Sequence, residues 1–172
     1  MVKRKEPKLT FRQVSKEEFY EYIDDNPLNK FAKTFYSKAN MMNLWPVLGL
    51  YEGNSLVCAL SWSISKRKPI SCNLQLLHTF ATHRKRGFGR IIYQHLLDNL
   101  PKEVEYFRVS SEPESVGFYE KLGFQFWGEQ KSKCKLSIAK VVHGKLVFNM
   151  DDYIHKNIHS KRKGGCVVVY EK

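Results

Sequence analysis

The chain has 172 residues, 42% of them hydrophobic and 13% aromatic, which is enough for one globular domain with a buried core, preceded by a basic tail at 1–8 that is expected to be disordered. Twenty-nine Lys and Arg against 17 Asp and Glu give a formal net charge of +12, which points to an anionic cofactor or partner; no run reaches the ~20 apolar residues of a membrane span. The first residues, Met1-Val2-Lys3-Arg4-Lys5-Glu6-Pro7-Lys8, are charged with no apolar stretch behind them, and Cys58, Cys72, Cys134 and Cys166 are scattered, so a cytoplasmic protein with reduced thiols is expected.

Leu9 to Val14 reads as a strand. Ser15, followed by Glu17 and Glu18, starts a helix through Phe19, Tyr20, Tyr22 and Ile23. Asp25-Asn26-Pro27 breaks it. The aromatic and Met-rich stretch from Leu28 to Asn43 is expected to be partly helical. Pro46 to Tyr51 and Ser55 to Ser65 flank Glu52-Gly53-Asn54 and read as a β-hairpin. A basic connection follows, Lys66-Arg67-Lys68-Pro69. Cys72 to Ala81 is the next strand, and its apolar end, Leu74 to Phe80, fits a central strand buried on both faces. Ile91 to Leu100 is a helix stopped by Pro101, and Glu105 to Ser110 is a strand. Glu112-Pro113 turns the chain into a short helix around Tyr119 that Gly123 ends. Phe124 to Trp127 is a strand.

Beyond Gly128, segments 136–142, 145–148 and 151–158 read as an insertion of mixed structure, 129–163, before a last strand at Cys166 to Tyr170. Residues 129–172 carry ten Lys or Arg and four Asp or Glu, so six of the twelve net charges lie there. With Lys66-Arg67-Lys68 and Lys161-Arg162-Lys163, this suggests a nucleic acid or another acidic partner. His155 and His159 lie four apart but lack the further ligands of a zinc site, so no metal is expected.

Arg84-Lys85-Arg86-Gly87-Phe88-Gly89 stands between an apolar strand and an amphipathic helix. A strand that breaks into a glycine-bearing turn and then a helix makes an anion site, because the first helical N–H groups have no intrahelical partner and the dipole adds positive charge. Gly87 and Gly89 let backbone approach a phosphate, and Arg84, Lys85, Arg86 and Arg90 crowd charge around the turn. The natural guest is a pyrophosphate. About thirty residues on stands Ser115-Val116-Gly117-Phe118-Tyr119-Glu120-Lys121-Leu122-Gly123-Phe124.

In this order the two segments resemble the GCN5-related N-acetyltransferase (GNAT) superfamily, with its Q/R-x-x-G-x-G/A turn and its later S/A-x-x-F/L-Y-x-x-x-G-F helix. The resemblance covers roughly residues 44–128. It implies a single α/β domain, with a mixed, mostly antiparallel sheet splayed near Leu77 and helices on both faces. It also implies transfer of acetyl from acetyl-CoA to a primary amine by direct attack. Backbone N–H groups from Arg86 to Arg90, Phe88 included, would take the pyrophosphate, with Arg84 ordering the turn. Ser115 would lie against the pantetheine arm, and the main chain at Leu77 and Thr79 would meet the pantetheine and the acetyl oxygen. Tyr119 matches the position whose phenol protonates the departing thiolate. Asn73 and Gln75 match acceptor-facing positions; neither titrates. His78 and Glu112 are the candidate bases. The acceptor is expected to be an amine on a protein or on a nucleic-acid-linked group. Two other readings remain open: a nucleobase or aminoacyl-tRNA modifying transferase, and a nucleic-acid-binding module without turnover.

Overall fold

Among the described residues, short β-rich segments build a seven-stranded sheet. The computed structural model describes residues 6–23, 26–37, 44–126 and 135–142. Its strands are β1 (Leu9–Val14), β2 (Val47–Glu52), β3 (Ser55–Ile64), β4 (Ser71–Thr79), β5 (Tyr106–Ser111), β6 (Gln125–Phe126) and β7 (Leu136–Val141). They lie in the order β1-β2-β3-β4-β5-β7-β6. Pairing is antiparallel for β1–β2, β2–β3, β5–β7 and β6–β7, and parallel for β4–β5. The result is a mixed α/β fold with a mostly antiparallel sheet. Among the described residues, no helix is long and apolar enough to cross a membrane. The chain folds as two compact units, Met1–Ser63 with Gln75–Leu100 and Ile64–Leu74 with Pro101–Lys172, so β4 contributes to both.

In the first unit, Ser15 caps α1 (Lys16–Glu21) by accepting the Glu18 N–H at 3.1 Å. Asn26 then caps a short 3-10 turn at Pro27–Asn29, which leads into α2 (Lys30–Ser37). The stretch 28–43, expected to be partly helical, is helical from Lys30 to Ser37, after the Pro27 turn has closed; 38–43 lie outside the described residues. Phe19, Ala32 and Phe35 from these helices pack with Val47, Tyr51, Leu56, Leu76 and Phe80 in one buried cluster. The Tyr51 hydroxyl donates to Glu18 Oε1 at 2.9 Å, and that carboxylate is held by both terminal nitrogens of Arg12. The amphipathic helix after the basic turn, α3 (Phe88–Asp98), buries Phe88, Ile92, Tyr93 and Leu96 at helical spacing.

In the second unit, β5 pairs with β7 from Tyr106–Val141 to Ser111–Leu136, and β6 pairs with the other side of β7. Leu136 to Val141, expected within an insertion, is thus a strand of the sheet lodged between β5 and β6. The residues of the segment carry no information on its partners. The rest of 129–163 and the expected strand at 166–170 lie outside the described residues. The helix α4 (Val116–Lys121) ends at Gly123, whose φ of +91° reverses the chain so that Phe124 packs on Phe107.

The parallel register of β4 with β5 runs from Ser71–Tyr106 to Leu74–Val109. Along β4, Cys72, Leu74, Leu76 and His78 are buried while Asn73, Gln75, Leu77 and Thr79 are half-exposed. Burial on both faces was expected; this period-2 pattern leaves one face partly open, although the strand is central.

Gly49 on β2 has no room for a side chain. A Cβ there would sit 2.6 Å from Val14 Cγ2, 2.7 Å from Tyr51 Cε2 and 2.8 Å from Leu56 Cδ1. We expect Gly49→Ala to destabilise the protein by about 1–3 kcal/mol through overpacking, read as a lower urea midpoint with unchanged slope.

Candidate functional site

The chain leaves β4 at Thr79, makes a 3-10 turn at Ala81–His83 and returns to extended backbone at Arg84. Lys85 has φ +64° and Gly87 φ +83°, both in the left-handed region. Gly87 is the N-cap of α3, one residue class that enters this conformation without strain, and open space surrounds the place of its missing Cβ. The demand at Gly87 is therefore conformational. No side chain caps this helix and its first turn holds no acid. The first intrahelical bond is Ile91 N–H to Gly87 O at 3.1 Å, which leaves the N–H groups of Phe88, Gly89 and Arg90 at the open end. The helix starts three residues before Ile91, where the sequence pattern put it, so Phe88 and Gly89 belong to its first turn.

The four cations of the turn divide their work. Arg84, though exposed, is turned onto the main chain: Nε donates to Thr79 O at 2.9 Å and Nη2 donates to Leu28 O. Arg86 pairs with Glu52 through two bonds of 2.9 and 2.6 Å and lies 4.6 Å over the Phe88 ring. Its hydrogen bonds hold the Glu52 carboxyl below the usual range. Lys85 and Arg90 are exposed.

A second link fastens the same turn. Asn29, 2% exposed, accepts the Ala81 N–H at 3.0 Å through Oδ1, and His78 Nε2 lies 3.1 Å from that oxygen. An oxygen that accepts from a backbone N–H has no proton to give, so His78 Nε2 carries the hydrogen. Burial, and then the Arg84 charge, pushes the His78 imidazole down to about 4. His78 is 4% exposed and packs edge-on against Phe80. The candidate base is thus a neutral donor inside the core, and its Nε2 has no lone pair with which to take a proton. Asn29 escaped sequence reasoning; its one signal was the preceding Asn26-Pro27 break, which says that a turn forms but not what it touches.

On the half-open face of β4, Gln75 Nε2 donates to Ser63 Oγ at 3.1 Å, and Asn73 Oδ1 accepts from Ser71 Oγ at 3.2 Å. Both expected acceptor-facing amides therefore have one local contact. Leu77 and Thr79 continue that face, and Thr79 Oγ1 lies 3.4 Å from Cys58 Sγ. In the second unit, Tyr119 is 6% exposed, with its ring edge-packed on Phe118 and Phe124. Ser115 leads α4, and its N–H donates to Glu112 O at 3.0 Å. Glu112 Oε1 pairs with Lys135 Nζ at 3.2 Å. Cys58 and Cys72 are free, buried thiols whose burial pushes each up to about 12, so neither supplies a thiolate. His155 and His159 lie outside the described residues.

Comparison with known proteins follows the same lines. A family model described as "Acetyltransferase (GNAT) domain" matches residues 7–140. No curated protein sequence matches the chain. Among solved structures, PaiA N-acetyltransferase from Thermoplasma acidophilum in complex with coenzyme A superposes with TM-score 0.59 at 15% identity, covering 78% of this chain and 99% of that one. The ribosomal-protein-S18-alanine N-acetyltransferase from Escherichia coli gives 0.56 at 16% identity, covering 82% and 100%. A mutant AtaT toxin bound to the C-terminus of antitoxin AtaR and acetyl-CoA gives 0.56 at 14% identity, covering 78% and 94%. At these identities the likeness is one of fold.

Two outcomes are expected from the Asn29–His78 pair. Asn29→Ala strands the Ala81 and His78 donors in the core and should cost about 2–4 kcal/mol in urea unfolding. A histidine depressed to about 4 is protonated only in the unfolded chain between there and 6.5, so stability is full above 6.5 and falls as pH drops toward 4. His78 should contribute about 3 kcal/mol to that fall, and His78→Gln should flatten this part of the stability–pH curve.

Proposed function

The chain belongs to the GNAT acetyltransferase family, and on that premise we propose that it moves an acetyl group from acetyl-CoA to a primary amine by direct attack. The observation that carries this reading is the uncapped start of α3 behind a left-handed Gly87, with no acid in its first turn. An anion fits there by backbone geometry and dipole together. The Phe88, Gly89 and Arg90 N–H groups would hold the pyrophosphate, with exposed Lys85 and Arg90 adding charge. The Arg86 main chain is assigned with them, while its guanidinium serves Glu52. Arg84 orders the turn through the Thr79 and Leu28 carbonyls. Ser115, at the head of α4, is assigned to the pantetheine arm. When bound, acetyl-CoA supplies an acetyl group already activated as a thioester.

The remaining chemistry falls to this chain's side chains and main chain. Leu77 and Thr79 lie on the half-open face of β4, which supports main-chain contacts to pantetheine and the acetyl oxygen. Tyr119, fixed by two aromatic neighbours, is assigned to protonate the leaving thiolate. Asn73 and Gln75 are assigned to the acceptor. Glu112 is the base we retain, since His78 is a buried neutral donor. The two buried thiols support direct attack over a covalent enzyme intermediate. The acceptor class we assign is an amine on a protein or a nucleic-acid-linked group, which the +12 charge favours over small polycations. The Escherichia coli neighbour, named for an alanine of a ribosomal protein, is a precedent for a macromolecular acceptor on this fold.

Calorimetry with acetyl-CoA, followed by release of free thiol in the presence of candidate amines, tests the reading; absence of acetyl-CoA binding at low salt would overturn it. Gly89→Trp should abolish binding by filling the open helix end, and unchanged affinity would remove the phosphate assignment. Tyr119→Phe should lower kcat by about a hundredfold with little change in acetyl-CoA affinity, as expected for a lost proton donor. An undiminished kcat in that variant would end its acid role.

A further inference from the structure

We propose that the second unit carries a docking surface for the phosphate backbone of a nucleic acid, centred on Lys66, Arg67 and Lys68 at the end of the sheet where β4 and β5 begin. The inference goes beyond acetyl transfer and stands on separate observations. Because β4 and β5 run parallel with Ser71 in register with Tyr106, the segments that precede them lie at the same end of the strands. These segments, 65–70 and 101–105, are joined directly. The Glu105 N–H donates to Ile70 O at 2.8 Å, and the Ile70 N–H donates back to Glu105 Oε2 at 2.9 Å. The basic segment is also closed on itself. Ser65 N–H donates to Ser71 O at 2.9 Å, Ser71 N–H donates to Ser65 Oγ at 2.9 Å, and Ser65 Oγ donates to Arg67 O at 3.2 Å. The backbone that bears the three cations is therefore fixed before any partner arrives, which lowers the ordering cost of binding.

Lys66, Arg67, Lys68 and the neighbouring Lys102 are all exposed. Among the described residues, no carboxylate pairs with the first three, whereas Arg12 and Arg86 are neutralised by Glu18 and Glu52. The acids of these segments are Glu103 and Glu105, and the latter is turned onto Ile70. Three adjacent cations on an ordered strip suit a partner whose charges recur at short intervals, and duplex DNA presents one per about 1.7 Å. Neither segment contains Phe, Tyr or Trp, the anchors that concentrate affinity in protein–protein interfaces. The chemistry therefore favours phosphates over an acidic protein.

Fluorescence polarisation of a labelled RNA strand and a labelled DNA duplex, each of about 20 nucleotides per strand, tests this with the full chain across about 50–200 mM salt. Both titrations are repeated with coenzyme A present, to keep the α3 start from acting as a second anion site. The triple variant Lys66→Ala, Arg67→Ala, Lys68→Ala should bind at least about tenfold more weakly and flatten the log–log salt slope for the single strand by about 2. A response from either nucleic acid supports the proposal, and the tighter one names the source. Unchanged affinity and slope in the variant would overturn it, as would equal displacement by a polyglutamate peptide of matched charge, which would mark an acidic-protein surface. Circular dichroism of the variant checks that the fold is kept. Acetyl-CoA calorimetry on the same variant should be unaltered. Failure of the wild type to bind acetyl-CoA would sink the transferase reading and leave this comparison intact.

Discussion

The turn between Thr79 and Gly87 is held by two polar links to residues 28 and 29, and the candidate site depends on them. Asn29 Oδ1 serves the Ala81 N–H and His78 Nε2–H, while the Arg84 guanidinium serves the carbonyls of Thr79 and Leu28. A strand that stops in mid-protein leaves N–H and C=O groups without ladder partners, and such groups are costly when buried. The 3-10 turn at Pro27–Asn29 supplies the partners. With both ends of the segment pinned, the chain reaches Gly87 in a fixed place, and α3 begins there with its amides at the open end.

This arrangement explains a division of labour that the density of positive charge conceals. A run such as Arg84-Lys85-Arg86 reads as a cationic clamp, yet two of its three side chains serve the fold. Arg84 closes backbone carbonyls, and Arg86 ties the turn to Glu52 at the end of β2. On the proposed reading, anion binding rests mainly on the main chain, where it needs Gly87 in a left-handed conformation more than it needs any particular cation. The same holds on β4, where the half-open face offers a main chain at Leu77 and Thr79 whose usefulness does not depend on polar side chains.

Titratable groups sort by the same physics. Burial, and then the nearby Arg84 charge, favours the neutral His78 ring, so it stabilises the turn and is poorly suited to taking protons. Cys58 and Cys72 are held as thiols by burial alone or nearly so. On the proposed reading, proton traffic is left to Tyr119 and Glu112, and the second of these already has a cationic neighbour in Lys135.

The amino-acid sequence by itself determined the elements and the family. The apolar, β-branched and aromatic runs of the strands, the Glu52-Gly53-Asn54 hairpin, the Ser15 cap and the glycine turn before α3 are local patterns, written in residues close together along the chain. The two motifs around Gly87 and Tyr119 are of the same kind and were legible for that reason. Tertiary structure alone decided what those residues meet. Nothing near Leu136 says that its strand will lie between β5 and β6. Nothing near His78 says that Asn29, 49 residues earlier, will accept its Nε2–H, or that Arg86 will turn to Glu52, 34 residues earlier. Such pairings are chosen by burial and by the need to satisfy polar groups once the elements pack, and neither acts until distant parts of the chain are together.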